Sequence, residues 1–595
     1  MQNRIHAALL TWAALLPSVI ATADHPQPIS APSGEVAWYD CQFGPVPGRE
    51  SVQLLLMTRA GEVQRVVVTP YGISGIDHAD LQVGKTGDVS GKLVIGHEPR
   101  RMNRTLVPKL SSRMPLQLKL TVADGQVTGT FAGQWPHEKS LDRRVDIAGK
   151  VTGVVRDEAT LRKQQGTPGS VWPSWLGPNQ NFSTNPLDAS IIDALSQARL
   201  AWASQWVGPT ESGSQRYVAC VGAPPCAGGA SPLYADGRIY QFRYQASGEA
   251  VQQTHLDKVL AGEKGDDTRE KMQAIGWTED DLRRRWAIHA DEELMCLDAA
   301  TGKTLWTVTW PGEGINLYDH KCSLTNHTGV IADGNVYVFG GLGIIRCVDA
   351  KTGAVRWSRK LPGYHDTMQA FLAKCLETKN VWAPTRSFCH GLNIAGDVLL
   401  APDGIGECGV VGIDAQTGDV RWHVKDRILG KCATPMSWTH NGKTYVIAGN
   451  SSGQITAVHA DSGEVAWQYS EAGDNEYQML LIGDLLIGNK TSREKREEMP
   501  LPKDEGVHSA PGANVGQVVC WRISSSGLKE LWTSPAEWGA PKNSPLGTVC
   551  QLEEQLFVCF RGGFSYHLVD VNILDRSVSL IDAARPENDS RDSRS

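Results

Sequence analysis

An eleven-residue pattern recurs four times in the second half of this 595-residue chain. The copies are Cys296-Leu-Asp-Ala-Ala-Thr-Gly-Lys-Thr-Leu-Trp306, Cys347-Val-Asp-Ala-Lys-Thr-Gly-Ala-Val-Arg-Trp357, Gly412-Ile-Asp-Ala-Gln-Thr-Gly-Asp-Val-Arg-Trp422 and Ala457-Val-His-Ala-Asp-Ser-Gly-Glu-Val-Ala-Trp467. A degraded copy, Val519 to Trp532, keeps Gly527 ahead of its tryptophan. Such self-similarity means a stack of like units that bury their faces against one another. Each copy reads strand, tight turn, strand, with Asp or Ser, Thr and Gly making the turn because glycine takes positive φ without steric cost. The tryptophan leaves the turn on the second strand, where a large flat ring can wedge between neighbouring sheets. Asp298, Gly302, Trp306, Asp349, Gly353, Trp357, Asp414, Gly418, Trp422, Gly463, Trp467 and Trp532 are therefore read as structural.

Two further strands precede each copy. Gly329-Val-Ile-Ala-Asp-Gly-Asn-Val-Tyr-Val-Phe-Gly carries an Asp-Gly-Asn hairpin turn, and Ile394 to Leu400 and His440 to Ile447 repeat the device. Four strands in units of about 45 to 65 residues make a propeller blade. Six units fit between Ser231 and Ile581, and a strand near Leu200-Ala-Trp202 is expected to close the ring or begin a seventh. Before this array, residues 35–156 alternate with period two, as in Leu116-Gln-Leu-Lys-Leu, and are punctuated by glycine. The predicted fold is all-β: a β-propeller of six to seven four-stranded blades, preceded by a small β-sandwich or barrel. The expected layout is a signal peptide 1–23, a linker 24–34, the β-domain 35–156, a linker 157–170, the propeller 171–582 and a disordered tail 583–595. Three insertions interrupt the blades. Residues 251–290 read as helical, whereas Leu361 to Phe388 and Thr491 to Val515 read as polar loops.

The first residues carry Arg4, the apolar stretch Ala7 to Ile20, and Ala21-Thr22-Ala23 as a small-residue cleavage site. The apolar stretch is shorter than the roughly 20 residues that span a bilayer, so an exported chain, secreted or periplasmic, is expected, with no membrane span after signal removal. The formal net charge is −7 and basic residues are dispersed among acids, which argues against a nucleic-acid partner. The thirteen cysteines are an odd number. Cys220 and Cys226, flanking Ala223-Pro-Pro, are the best local disulfide, and Cys375 with Cys389 is a second pairing. The other cysteines read as buried free thiols.

The Ala-x-Asp-x-x-x-Gly-x-x-x-Trp pattern, with Thr before the glycine, resembles the pyrroloquinoline-quinone-like (PQQ-like, or quinoprotein-like) propeller repeat. That family includes quinone-dependent alcohol dehydrogenases and a propeller lipoprotein of outer-membrane protein assembly. The stretch Trp172-Pro-Ser-Trp-Leu-Gly-Pro-Asn also looks like the opening of many exported bacterial members. The resemblance implies the propeller fold and leaves function open, since one fold hosts unrelated activities. Quinone-binding members hold PQQ in the central funnel, commonly between a disulfide of adjacent cysteines and a tryptophan, with calcium held by Glu, Asn and Asp. This chain has no adjacent cysteines. Glucose-oxidising relatives also lack that disulfide. No calcium ligands or catalytic aspartate match here, so no cofactor is assigned, and PQQ with calcium is the pair that a catalytic reading would require.

In a propeller each outer strand returns to the next blade's innermost strand, and those returns ring the axis. Here they carry His320, Arg386, His390, Thr434, Glu476, Tyr477, Lys542 and Asn543. Charges of both signs with histidines suit a polar small-ligand or glycan site, while a solvated channel mouth would carry the same residue types. His320 and His327, seven apart with no third ligand in register, are not read as a metal site. Asp366 beside His365 reads as half a catalytic relay with no nucleophile elbow to serve it. The first reading is a non-catalytic propeller that binds a protein or glycan on its funnel face. The alternative is an enzyme with its site in the funnel, either a quinone-dependent oxidoreductase or a carbohydrate-active enzyme.

Overall fold

The computed structural model describes residues 29–30, 35–68, 78–84, 88–95, 101–102, 105–106, 112–137, 140–157, 159, 171–178, 202, 226–227, 230–261, 283, 286–316, 318–319, 322–323, 327–379, 391–405, 407–430, 433–473, 475, 478–491, 515–533, 540–541, 546–552, 555–562, 565–572 and 578–584. The signal, most of the proposed tail and most of the 157–170 stretch lie outside these residues, while residues 583 and 584 belong to the last strand of blade 6.

The N-terminal β-domain is an eight-stranded antiparallel barrel. Its strands are β1 (Val36–Gly44), β2 (Val52–Arg59), β3 (Glu62–Val68), β4 (His78–Val83), β5 (Val89–Ile95), β6 (Ser112–Ala123), β7 (Gln126–His137) and β8 (Ser140–Val155). The ladder runs β3-β2-β1-β8-β7-β6-β5-β4, and its two ends, β3 and β4, lie side by side. Alternation sends Tyr39, Cys41 and Phe43 of β1 inward with Leu54, Leu56, Leu116, Leu118, Phe131 and Val151 from the other strands. Eight strands enclose a bore about as wide as such side chains can fill, and they form its core. On the outside of β1, Trp38 Nε1 donates to the carbonyl of Thr301 and so ties the barrel to the first propeller blade. The short strand Ile29–Ser30, inside the stretch expected to be a linker, pairs with Trp306 and Thr307 on the outer edge of that blade.

Six antiparallel sheets follow, matching the six sequence units; each has four consecutive ladder strands, to which blade 1 adds Ile29–Ser30 and Cys226–Ala227, and blade 5 adds Ala540–Pro541. Their four ladder strands begin at Leu233 and end at Ile315 in blade 1, and run Val330 to Lys360 in blade 2, Asn393 to Leu429 in blade 3, Met436 to Tyr469 in blade 4, Leu480 to Thr533 in blade 5 and Leu546 to Ala584 in blade 6. In every blade, chain order is also spatial order from the innermost to the outermost strand.

The repeat motif has a local cause at each position. Asp298 Oδ1 accepts from the N–H of Ala300, the N–H of Thr301 and the Thr301 hydroxyl, folding the chain back on itself. Asp349 holds Lys351 and Thr352 in the same way, and Asp414 holds Gln416 and Thr417. Arg421, and then the Thr417 N–H, keep the Asp414 carboxyl below the usual carboxylate range. The turn glycine serves twice: Gly418 has φ +78°, and a Cβ there would come within 2.8 Å of the Trp357 ring of the preceding blade. That indole also donates Nε1–H to Ala415 O of the same turn, 3.1 Å away. Trp422 repeats the arrangement on the next blade, against Gly463 and Ala460 O, and Trp202 does so on blade 1, against Gly302 and Ala299 O. Trp202 thus docks on the blade 1 turn as Trp357 and Trp422 dock on the turns of blades 3 and 4. Directly across the ladder from each wedge lies a small residue: Cys296, Cys347, Gly412, Ala457 or Cys520. The strand cysteines therefore fill positions where little room remains under a tryptophan.

Two expectations are corrected. The segment after Leu361 opens as a helix rather than a polar loop. We label the helices α1 (Gln253–Leu260) and α2 (Pro362–Thr378). In α2, Pro362 sits in the first turn and Tyr364, His365, Met368, Leu372 and Cys375 face the core at helical spacing. Cys375 is a buried free thiol, so it is not half of a Cys375–Cys389 bridge; burial raises its pKa to about 11. Cys41, Cys296, Cys347, Cys408 and Cys520 are likewise free and buried, with pKa values pushed by desolvation to about 12. Cys220 lies outside the described residues.

Candidate binding face

Antiparallel topology gives each blade two distinguishable ends. The turns between first and second strands, and between third and fourth, lie at one end, here called lower. The turns between second and third strands, and the returns to the next blade, lie at the other. Lower turns are short, as at Asp333–Gly334, Asn441–Gly442 and the Asp-Ala-x-Thr-Gly motif itself. All three insertions interrupt upper connections: 252–286 inside blade 1, 361–392 between blades 2 and 3, and 492–514 inside blade 5. The upper face is therefore the elaborated one.

At the upper end of the innermost strands a belt of hydrogen bonds joins neighbouring blades. The Ser231 N–H donates to Thr328 Oγ1 at 2.9 Å, Leu392 N–H to Thr328 O at 2.8 Å, Gly391 N–H to Thr434 Oγ1 at 3.0 Å, and Thr434 N–H to Gln478 Oε1 at 2.7 Å. Ser231, Thr328, Gly391, Thr434 and Gln478 each lie two residues before the first strand of their blade. Thr328 and Gly391 also form a parallel bridge, as adjacent innermost strands should. The belt fixes the register of the five returns it links. Thr328, Thr434 and Gln478 are buried, so the belt supplies these groups with the partners that burial demands.

Of the predicted funnel residues, His320, Arg386, His390, Glu476, Tyr477, Lys542 and Asn543 all lie outside the described residues. Several of their chain neighbours belong to the belt: His390 precedes Gly391, and Glu476 and Tyr477 sit between Asn475 and Gln478. Thr434 is a belt member itself. His327 stacks on Phe339 with ring centroids 4.5 Å apart, and its Nε2 lies 3.1 Å from the Tyr364 hydroxyl. That pair seats α2 on blade 2. His365 donates Nδ1–H to Leu342 O at 2.7 Å rather than pairing with the exposed Asp366, so no relay forms. An elbow-like string, overlooked in the sequence, does occur at Gly449-Asn-Ser-Ser-Gly453. It spans a strand-to-strand turn in which Asn450 Oδ1 accepts from Ser452 and Gln454, whereas a nucleophile elbow leads from strand to helix.

Sequence reasoning missed a buried ion pair at the upper junction of blades 1 and 2. Arg346 Nη1 lies 2.7 Å from Glu292 Oε2, and Nη2 lies 2.6 Å from Glu313 Oε2. Both Arg346 and Glu292 are 1% exposed. The guanidinium carbon stands 4.4 Å from the Trp310 ring centroid, and Gly341 N–H donates to Glu292 Oε1 at 2.6 Å. Burial raises the Glu292 pKa, opposed chiefly by Arg346 and next by the Gly341 N–H.

Residues 290–547 match the family model described as "Outer membrane protein assembly factor BamB", a model of PQQ-type repeats. The dehydrogenase subunit of alcohol dehydrogenase (quinone) from Komagataeibacter europaeus is 23% identical over 222 residues. Residues 290–547 carry PQQ-like repeats. The match to the Komagataeibacter subunit is 34% of this chain and 27% of that relative, so the chain spans about a quarter of the length of the curated protein it matches. The corresponding subunit from Gluconacetobacter polyoxogenes is 24% identical over 218 residues, with the same coverage of both chains. Among solved structures, BamB from Moraxella catarrhalis is 16% identical with a TM-score of 0.30, covering 50% of this chain and 71% of that one. Quinohemoprotein alcohol dehydrogenase from Comamonas testosteroni is 14% identical with a TM-score of 0.27, covering 44% and 43%.

Asn393 donates to Pro435 O, Asn450 to Arg427 O and Asn475 to Gly473 O, while Glu292 is held by Arg346. Among the described residues no three His, Cys, Asp or Glu side chains are grouped to hold a metal ion.

Proposed function

We propose that this PQQ-like propeller is an exported, non-catalytic binding protein that takes a protein or glycan ligand on its upper, funnel face. The observation that carries the reading is the asymmetry of the blades: every long insertion opens on the upper face, while the lower turns are short. Loops raised on one face of a rigid scaffold are where recognition is usually built. The family model's description as an assembly factor favours a binding role. Residues 1–23 support export, and among the described residues no helix is long and apolar enough to cross a membrane. Arg386, His390, Glu476, Tyr477, Lys542, Asn543 and His320 supply the polar contacts in this reading. The second reading, a quinone-dependent oxidoreductase, rests on the similarity to the alcohol dehydrogenase subunits.

A melting-temperature screen of the full chain separates the two, because a ligand of the native state raises the midpoint. A soluble oligosaccharide or peptide is expected to shift it. Arg386→Ala should then weaken that ligand by about 1.5 to 3 kcal/mol, as for a hydrogen bond to a charged group. PQQ with calcium should leave the midpoint unchanged. A shift with PQQ and calcium, accompanied by dye reduction with a primary alcohol, would overturn the binding reading.

A further inference from the structure

The stretch Trp172-Pro-Ser-Trp-Leu-Gly-Pro178 touches blades on opposite sides of the ring. Trp172 makes an antiparallel bridge with Tyr234 on the innermost strand of blade 1, giving its N–H to Tyr234 O at 2.7 Å and accepting Tyr234 N–H at 3.0 Å. Pro173 O accepts from Ile331 N–H, on the innermost strand of blade 2, at 2.7 Å. Gly177 N–H closes a tight turn onto Ser174 O at 3.0 Å. At Gly177, φ is +73°, and a Cβ would meet the Trp172 ring at 3.0 Å, so this position favours glycine twice over. Leu176, fully buried, then enters a cluster with Met436 and Trp438 of blade 4, and Leu481 and Trp521 of blade 5. Pro178 borders a cavity of about 270 Å³ with Trp438, Leu481 and Asp484.

Innermost strands surround the axis, so seven residues that reach them in blades 1 and 2 and again in blades 4 and 5 have to cross it. All four points of attachment lie near the lower turns, beside Asp236, Asp333, Asn441 and Gly483. The crossing is therefore at the end opposite the belt. We propose that Trp172–Pro178 is a plug across the lower end of the axial channel. The propeller then has a single mouth, on the face that carries the insertions, and any ligand of the axial site enters and leaves there. This last clause rests on the binding reading above; the plug does not.

The test needs no ligand, so its failure is distinct from failure of the binding reading. Tyr234 and Ile331 donate their amide protons to Trp172 O and Pro173 O, and hydrogen exchange at these two amides reports the seating of the plug. In the full chain both are expected to be protected. Leu176→Ser removes the anchor on blades 4 and 5, and should speed exchange at both amides by about tenfold or more, as opening of one cooperative local unit does. Exchange in the second strand of blade 2 should be unchanged. Should that variant fold poorly, Gly177→Ala, which displaces Trp172, gives the same readout. Rapid exchange of Tyr234 and Ile331 in the unsubstituted chain would overturn the plug. So would their full protection in Leu176→Ser, because the two ends of the segment would then be independent.

Discussion

Arg346→Ala is expected to cost about 3 to 5 kcal/mol at neutral pH, the range for stranding one partner of a buried ion pair. The Glu292 carboxylate would keep the Gly341 N–H and lose its only counter-charge among its described bonds. Glu313, which is 45% exposed, can turn to water instead. The loss should depend on pH. Burial already raises the Glu292 pKa in the folded state, and removing Arg346 takes away the chief opposing effect, so it rises further. An acid raised on folding favours the native state least when ionised. Its deficit is absent below the unfolded value of about 4.3 and grows as pH climbs towards the folded value. The gap between variant and unsubstituted protein, read as denaturation midpoints, should therefore narrow from pH 7 to pH 5. Adding Glu292→Gln to Arg346→Met keeps an acceptor for Gly341 and removes both charges, and should recover most of the loss. An Arg346→Ala midpoint equal to that of the unsubstituted chain would show that this pair does not join blades 1 and 2.

The blades were legible because the motif's turn residues act within a few positions of themselves. Asp298, Asp349 and Asp414 each fold their own turn, and such local causes survive in the sequence as a repeat. The barrel was legible only as β-structure. Its ladder depends on β8 pairing with β1, as in Val155 with Tyr39, and alternation along each strand says nothing about partners so distant. Helix α2 was missed although its signal was present. Tyr364, Met368, Leu372 and Cys375 have helical spacing after Pro362, but the exposed face, with Asp366, Thr367, Lys374 and Glu377, dominated the composition. The belt was legible in register and not in chemistry. Thr328, Gly391, Thr434 and Gln478 share a position relative to their blades yet no residue type, because what the position supplies is one donor or acceptor towards its neighbour. Arg346 offered a different hint: a charged residue inside Ile344-Ile345-Arg346-Cys347-Val348 asks for a buried partner. Glu292 could not be named from it, since the two meet only when blades 1 and 2 pack.

Trp422→Ala should lower stability by about 3 to 5 kcal/mol, as deletion of a large buried aromatic does. The ring is 7% exposed and lies between Gly412 of its own blade, where a Cβ would come within 2.0 Å, and Gly463 of the next. Its Nε1 donates to Ala460 O at 2.8 Å. The same interface can be tested from the glycine side. Gly463→Ala places a Cβ at φ +73° and 2.8 Å from the indole, so it combines backbone strain with a clash. Gly442→Ala, at φ +75° with nothing within 4 Å, carries the strain alone, about 1 to 2 kcal/mol. If the tryptophan is a wedge between blades, Gly463→Ala must cost clearly more than Gly442→Ala. The excess should vanish in the background of Trp422→Ala, where the ring that caused it is gone. Such coupling between contacting residues is expected at about 0.5 to 3 kcal/mol in a double-mutant cycle. Equal costs for the two glycine variants, or strict additivity with Trp422→Ala, would mean that the motif glycine is retained for its turn alone and that the tryptophan does not join one blade to the next.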